Sequence, residues 1–386
     1  MSLCSFALVA SEFLPVSLLT PLASDLGLTE GTAGQAIAFS GLFAVVASLL
    51  TSTVIGATDR KKVLIALTAL MVVSGVVVAM APNYPVLMIG RALLGIAIGG
   101  CWSMSTAVMI RIVPESFVPR AIAVLQGGSA LATAVAAPLG SFLGGLIGWR
   151  GAFFCVVPLG VVALAWQAWA LPSIPARGAR GTQSPVRVLA LLVKPGVALG
   201  MLALALLFMG QFTLFTYLRP YLETVAHVDA TQLSAILLSI GVAGLAGTLA
   251  VGTVLKRYLY APLVSIPVLM AGIAITLTTH VSGLVVIGTL LAGWGLVATA
   301  APVGWFTWLA QVLPDDAEAG GGLMVAVIQV AITAGATTGG LLFDGGGYRM
   351  TFLAGAILLL LAGAVAFVAA QTSPSPKAVG AARVIH

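Results

Sequence analysis

From Val63 to Ala81 no residue carries a charge, and similar apolar stretches recur along the whole chain, separated by a few polar residues. Each stretch is close to the ~20 residues a helix needs to cross the hydrocarbon layer of a bilayer. The chain is 60% hydrophobic and only 7% charged, where a soluble domain carries about a quarter charged residues. So little charge cannot cover a water-facing surface. The expectation is an all-α integral membrane protein.

About twelve spans are expected, near 3–27, 33–57, 63–82, 84–112, 120–146, 151–171, 196–222, 231–255, 260–280, 284–312, 320–343 and 350–370. Basic residues should mark the cytoplasmic loops. Arg60, Lys61 and Lys62, then Arg111 and Arg120, then Arg177, Arg180, Arg187 and Lys194, then Lys256, Arg257, Lys377 and Arg383 all fall on one side. The other side holds Asp25, Glu30, Glu223, His227, Asp229 and His280. Both termini are thus expected in the cytoplasm, although the inner loop 314–320 is acidic. The first run lacks a basic n-region and carries Glu12, so it reads as a retained helix. A short cytoplasmic lead ahead of Met1 is expected.

The Pro-, Gly- and Arg-rich stretch 171–195 reads as a linker. It divides the chain into an N-terminal six-helix bundle (1–172), a linker (173–194), a C-terminal six-helix bundle (195–371) and a tail (372–386). The halves resemble each other. GSFLGGLIGWRGAFF (140–154) matches GGLLFDGGGYRMTF (339–352) at a constant offset, with Trp149-Arg150 over Tyr348-Arg349. RIVPES (111–116) matches QVLPDD (311–316) at nearly the same offset. Duplicated six-helix halves are a plan of secondary transporters.

Several classes are excluded. The net charge of +6 comes from loop clusters, which argues for membrane orientation and against nucleic acid. Cys4, Cys101 and Cys155 form neither a disulfide framework nor a metal-ligand spacing. HExxH, GxSxG and GxxxxGK[ST] are all lacking, so neither an enzyme nor an ATP-driven pump is expected, and no cofactor or metal.

GRALLGIAIGG (90–100), AAPLGSFLGG (136–145) and ATDRKK (57–62) resemble the fourth-helix, fifth-helix and loop motifs of the major facilitator superfamily. The loop motif is short, and Ala137 stands where the fifth-helix motif has Gly before Pro138. EFLPVSLLTPLASDLG (12–27), GQFTLFTYLRP (210–220), PVGWFTWL (302–309) and VAVIQVAITAGATTGG (325–340) resemble the purine ribonucleoside efflux permeases within its drug:proton antiporter group. The resemblance implies a twelve-helix, monomeric inner-membrane protein that exports nucleosides such as inosine and guanosine in exchange for protons. Sugar or drug export by the same fold is the alternative.

Intramembrane charges are costly and mark function. Glu12 lies well inside the first span. It reads as a proton carrier, with a fixed ion pair or a substrate contact as the other readings. The family motif assigns Arg91 to proton transfer, in which its permanent charge acts electrostatically on Glu12. Arg219 reads equally as a gate paired with an acid of the other half and as an interfacial anchor. Asp59, beside Arg60, is expected to latch the halves by facing the positive end of the eleventh helix near Gly320. Pro138 is expected to bend the fifth helix where the halves rock.

Bases favour aromatic faces, and a ribose favours amides and hydroxyls. The aromatic candidates are Trp102, Phe212, Phe215, Tyr217, Trp305 and Trp308, which compete with an interfacial belt. The polar candidates are Gln126, Ser129, Gln211, Thr216, Gln329 and Thr333, which compete with helix packing.

Overall fold

The computed structural model describes residues 1–55, 58–114, 117–175, 189–255, 257–279, 283–313 and 317–372. The side chains of 52–55, 106, 107, 110, 118–120, 122, 123, 126 and 317–319 lie outside that description. So do most of the expected linker and the tail, with Arg177, Arg180, Arg187, Lys256, His280, Lys377 and Arg383.

The described regular structure is helical. The first six helices are α1 (Ser2–Leu26), α2 (Glu30–Ile55), α3 (Arg60–Ala79), α4 (Tyr84–Ile112), α5 (Val118–Phe154) and α6 (Val156–Ala170). After the linker come α7 (Pro195–Phe215), α8 (Leu218–Thr224), α9 (Ala230–Leu255), α10 (Tyr260–Thr278), α11 (Leu284–Ala298), α12 (Ala301–Val312) and α13 (Ala317–Thr372). Ten stretches of the described residues are long and apolar enough to cross a membrane.

Two of the ten are double-length, 127–170 and 320–372, and each contains one glycine with positive φ. Gly148 has φ 75° and Gly347 has φ 68°. A side chain at either would be strained in this left-handed region, whereas glycine adopts it freely. These glycines occupy matching places in the repeated segments, and each breaks its stretch into two helices. Counted on both sides of them, the candidate spans among the described residues number twelve. The next two residues also match. The Arg150 guanidinium lies 4.3 Å from the Trp149 ring centre, and that of Arg349 lies 6.0 Å from Tyr348.

Prolines explain two other interruptions. Pro220 and Pro302 lack the N–H that would bond the carbonyl four residues back. Those carbonyls belong to Thr216 and Ala298, where α7 and α11 give way to α8 and α12. Pro15 and Pro21 lie inside α1, and Pro138 inside α5, without ending the helix.

Within the first set, α1 packs on α5, α2 on α4, and α3 on α4 and α6. Within the second, α7 packs on α13, α9 on α11, and α10 on α13. Small residues set the spacing: a Cβ on Gly95 or Gly99 would collide with the carbonyl of Ser40 or Ala44. The sets meet where α2 lies along the first half of α13, α5 along α9, and α8 against α1.

Candidate functional site

Glu12 lies midway along α1 and is 5% exposed. Its Oε1 accepts from the Gln329 amide nitrogen at 3.2 Å. Gln329 belongs to α13, so this bond crosses from one helix set to the other. The next residue, Phe13, stacks on Phe212 of α7, with ring centres 5.7 Å apart and planes at 25°. Phe212 in turn meets Phe215 edge-on at 6.3 Å. Trp102 and Phe13 both pack on the cluster of Val9, Ala10, Ala132 and Ala136. A buried acid, an aromatic group and an amide therefore converge at the seam between the sets.

Arg91 is fully buried and does not clasp the Glu12 carboxylate. Its Nε donates to the Ala36 carbonyl and its Nη1 to that of Ser11, both at 2.8 Å. Nη2 donates to the Glu12 main-chain carbonyl at 3.2 Å and to Ser40 Oγ at 2.8 Å. The sequence explains one of these acceptors. Pro15 has no N–H to offer the Ser11 carbonyl four residues back, and Arg91 supplies the missing donor. Arg91 thus ties α1, α2 and α4 together and places its charge beside Glu12 through the main chain.

The same pattern recurs one turn and a half along α1. Pro21 leaves the Ser17 carbonyl without its helical partner, and Arg219 Nη1 of α8 donates to it. Arg219 also forms an ion pair with Glu223, at 2.7 Å, within its own helix. Its acid partner is local, and what it meets across the sets is a carbonyl.

From Glu12 toward the 27–30 turn, further polar contacts join α2 to α13. Thr333 Oγ1 donates to the Ala38 carbonyl at 3.2 Å, and Thr337 Oγ1 donates to Gln35 Oε1 at 3.1 Å. Asp344 accepts from Thr29 Oγ1 at 2.7 Å and from the Gly31 N–H at 3.0 Å. This carboxylate therefore caps the N-terminus of α2 from the opposite set, where free N–H groups and the helix dipole favour an anion. Nothing in the sequence marks Thr29 and Gly31 as the partners of Asp344.

Asp59 corrects an expectation. It does not face the eleventh span near Gly320 but caps α3, accepting from the Lys61 N–H at 2.8 Å. It also accepts from the Ser173 hydroxyl and from the Ile174 N–H at 3.0 Å. These donors, Ser173 first, hold its carboxyl below the usual carboxylate range. Arg60 donates through its main-chain N–H to the Ile174 carbonyl at 3.0 Å. Both residues thus anchor the chain that leaves α6. Pro138 is buried in α5 and leaves the Ala134 carbonyl free, against which Gly241 of α9 closes.

The ligand candidates divide. Trp305 and Trp308 are buried edge-to-face, at 5.4 Å, in the core of the second set, with Trp308 filling the space over Gly200. Tyr217 is buried, stacks on Phe343 at 5.2 Å and donates to the Ala336 carbonyl at 2.8 Å. These three serve packing here. The Gln126 side chain lies outside the described residues. Ser129 Oγ, Gln211 Oε1, Thr216 Oγ1 and Gln329 Oε1 are buried without a hydrogen-bond partner among the described residues. Such atoms are rare in folded proteins and mark places where a ligand or water completes the bonding. Phe13, which sequence reasoning missed, carried no signal beyond its position next to Glu12.

The Major Facilitator Superfamily profile matches residues 1–321. The chain belongs to this superfamily. It is 58% identical over 96% of its length to a Pseudomonas aeruginosa protein named transcription regulatory protein OpdE, covering 92% of that protein. It is 42% identical over 94% of its length to the purine ribonucleoside efflux pump NepI of Salmonella typhimurium, covering 91% of it. Among solved structures, a bacterial homologue of the human lysosomal transporter Spinster superposes with a TM-score of 0.79 at 15% identity, covering 97% of each chain. A D-xylose–proton symporter gives 0.74 at 15% identity, covering 95% of each chain. Superfamily membership makes the chain a multi-pass membrane transporter and not an enzyme.

Proposed function

We propose that the protein exports purine ribonucleosides of the inosine and guanosine type in exchange for protons, by alternating access of two six-helix bundles, 1–172 and 195–371. The observation that carries the reading is the hydrogen bond between Glu12 and Gln329 across the two sets, beside the Phe13–Phe212 stack. A buried carboxylate at a moving seam gives a proton somewhere to bind. The aromatic group offers faces for a base, and the unpartnered Ser129, Gln211, Thr216 and Gln329 atoms offer bonds for its edge and the ribose. The name of the 42% identical relative supports the substrate class. In this reading the 27–30 turn faces the periplasm, both termini are cytoplasmic and the working unit is a monomer.

Contacts from Glu12 to Asp344 then close the periplasmic side, and Asp344, Arg219 and Thr333 act as gate residues. Arg91 fixes the position and field of Glu12 and carries no proton itself. The regulator's name borne by the 58% identical relative suggests a second reading, in which transport alters gene expression through the concentration of what is moved.

The test is flux in liposomes under an imposed pH gradient, with labelled inosine set against labelled arabinose and a cationic dye. Inosine should move against the proton flow, and Glu12→Gln should abolish that coupling while the protein stays folded. Dye or arabinose flux alone would replace the nucleoside by a drug or a sugar. Inosine flux indifferent to the gradient would refute antiport.

A further inference from the structure

Gln329 does more at this seam than border a ligand. A carboxylate only accepts hydrogen bonds, whereas a protonated carboxyl also donates, and an amide has one face for each. Here the amide nitrogen meets Glu12 Oε1, and the amide Oε1 is buried with no hydrogen-bond partner among the described residues. The donor face is engaged and the acceptor face is idle, which is the arrangement that suits a charged Glu12. The opposite amide orientation would set one oxygen against another.

Other charges leave this role to the amide. Among the described residues of the helices that meet α1, Glu30 lies in the first turn of α2 and Arg60, Lys61 and Lys62 in that of α3. Arg111 lies in the last turn of α4. Arg150 of α5 pairs with Asp25 at 2.5 Å, Arg219 of α8 with Glu223, and Asp344 of α13 caps α2. Arg349 sits over Tyr348, beyond the Gly347 turn. Arg91 donates to the Glu12 main-chain carbonyl and belongs to the same helix set. Among the described residues, Gln329 is the hydrogen-bond partner of the Glu12 carboxylate from the opposite set.

Resting on the antiport reading above, we propose that Gln329 is a positioning residue that reads the charge of Glu12 across the seam. It holds the two sets together at mid-membrane while Glu12 is a carboxylate and loosens them once Glu12 takes a proton. The hydrogen bond is charge-assisted in the first state only. In the second, the new O–H is matched to the idle amide Oε1, and the amide must rotate to receive it. Proton uptake at Glu12 is thereby tied to rearrangement of α13 against α1.

The test reads Glu12 directly and needs no substrate. Infrared titration of the purified protein follows the protonated-carboxyl band, assigned to Glu12 by its loss in Glu12→Gln. Gln329→Met keeps the side-chain shape and removes the donor, so the pH midpoint of the band should rise by about one unit. Gln329→Asn, whose amide falls one methylene short, should shift it the same way and is the milder variant should Met disturb folding. A folded variant with an unmoved midpoint overturns the role of Gln329 and leaves antiport standing. A wild-type band that never titrates removes Glu12 as proton carrier, and this inference falls with it.

Discussion

The Asp344 cap on α2 is the clearest charge-based tie between the helix sets, and Asp344→Asn isolates its charge. Asparagine keeps an acceptor of the same shape, so the Gly31 N–H and the Thr29 hydroxyl retain a neutral partner. What disappears is the charge assistance of two hydrogen bonds, each worth about 1 kcal/mol when dry, and the attraction of a carboxylate to a helix N-terminus, about 0.3–1 kcal/mol. Asp344 is solvent-exposed, so screening reduces that total. About 1 kcal/mol remains, or about a fivefold shift in the equilibrium between joined and separated ends.

Spin labels at Ser24→Cys and Gly345→Cys would report that distance in a Cys155→Ser background, since Cys4 and Cys101 are buried. Asp344→Asn should enlarge the long-distance population about fivefold, and Thr29→Ala should do so less. An unchanged distance distribution in Asp344→Asn would refute the claim that this charge holds the sets together.

Three further outcomes are expected. Pro21→Ala supplies an N–H to the Ser17 carbonyl, so Arg219→Gln should cost about 1 kcal/mol less in that background than alone; additive melting shifts would separate the proline from the arginine. Gly99→Ala should destabilise by about 1–3 kcal/mol by forcing α4 off the Ala44 carbonyl, whereas Gly272→Ala, with open space around it, should not lower the melting temperature. The Asp59 carboxyl is held below its ordinary value, so its contribution to stability is complete above about pH 4 and is lost as pH falls through the depressed value; Asp59→Asn should remove that part of the acid-side loss in detergent melting curves.

Much of the fold is legible in the sequence because the bilayer restricts the options so severely. A span must be long, apolar and helical, so runs such as 63–81 announce themselves. The repeated GWR and GYR segments already indicated a duplication, and Gly148 and Gly347 give it a physical basis in matching positive φ angles. The cost of a charge in an apolar run singled out Glu12 and Arg91 for the same reason. Aromatic candidates were less legible. Trp305 and Trp308 share a helical face in any reading, but only packing shows that this face fills the core over Gly200.

The sequence by itself therefore determined the solvent, the helical class, the repeated segments and the short set of charges that must be accounted for. Tertiary structure decided their partners. Pro15 and Pro21 show which carbonyls of α1 lack a helical donor, but not that Arg91 and Arg219 supply one. Asp59 and Asp344 are both acids at span ends, yet one caps its own neighbouring helix and the other caps a helix of the opposite set. Burial and hydropathy act residue by residue and can be read along the chain. Hydrogen bonds between helices depend on which faces meet, and that is fixed only when the two sets pack.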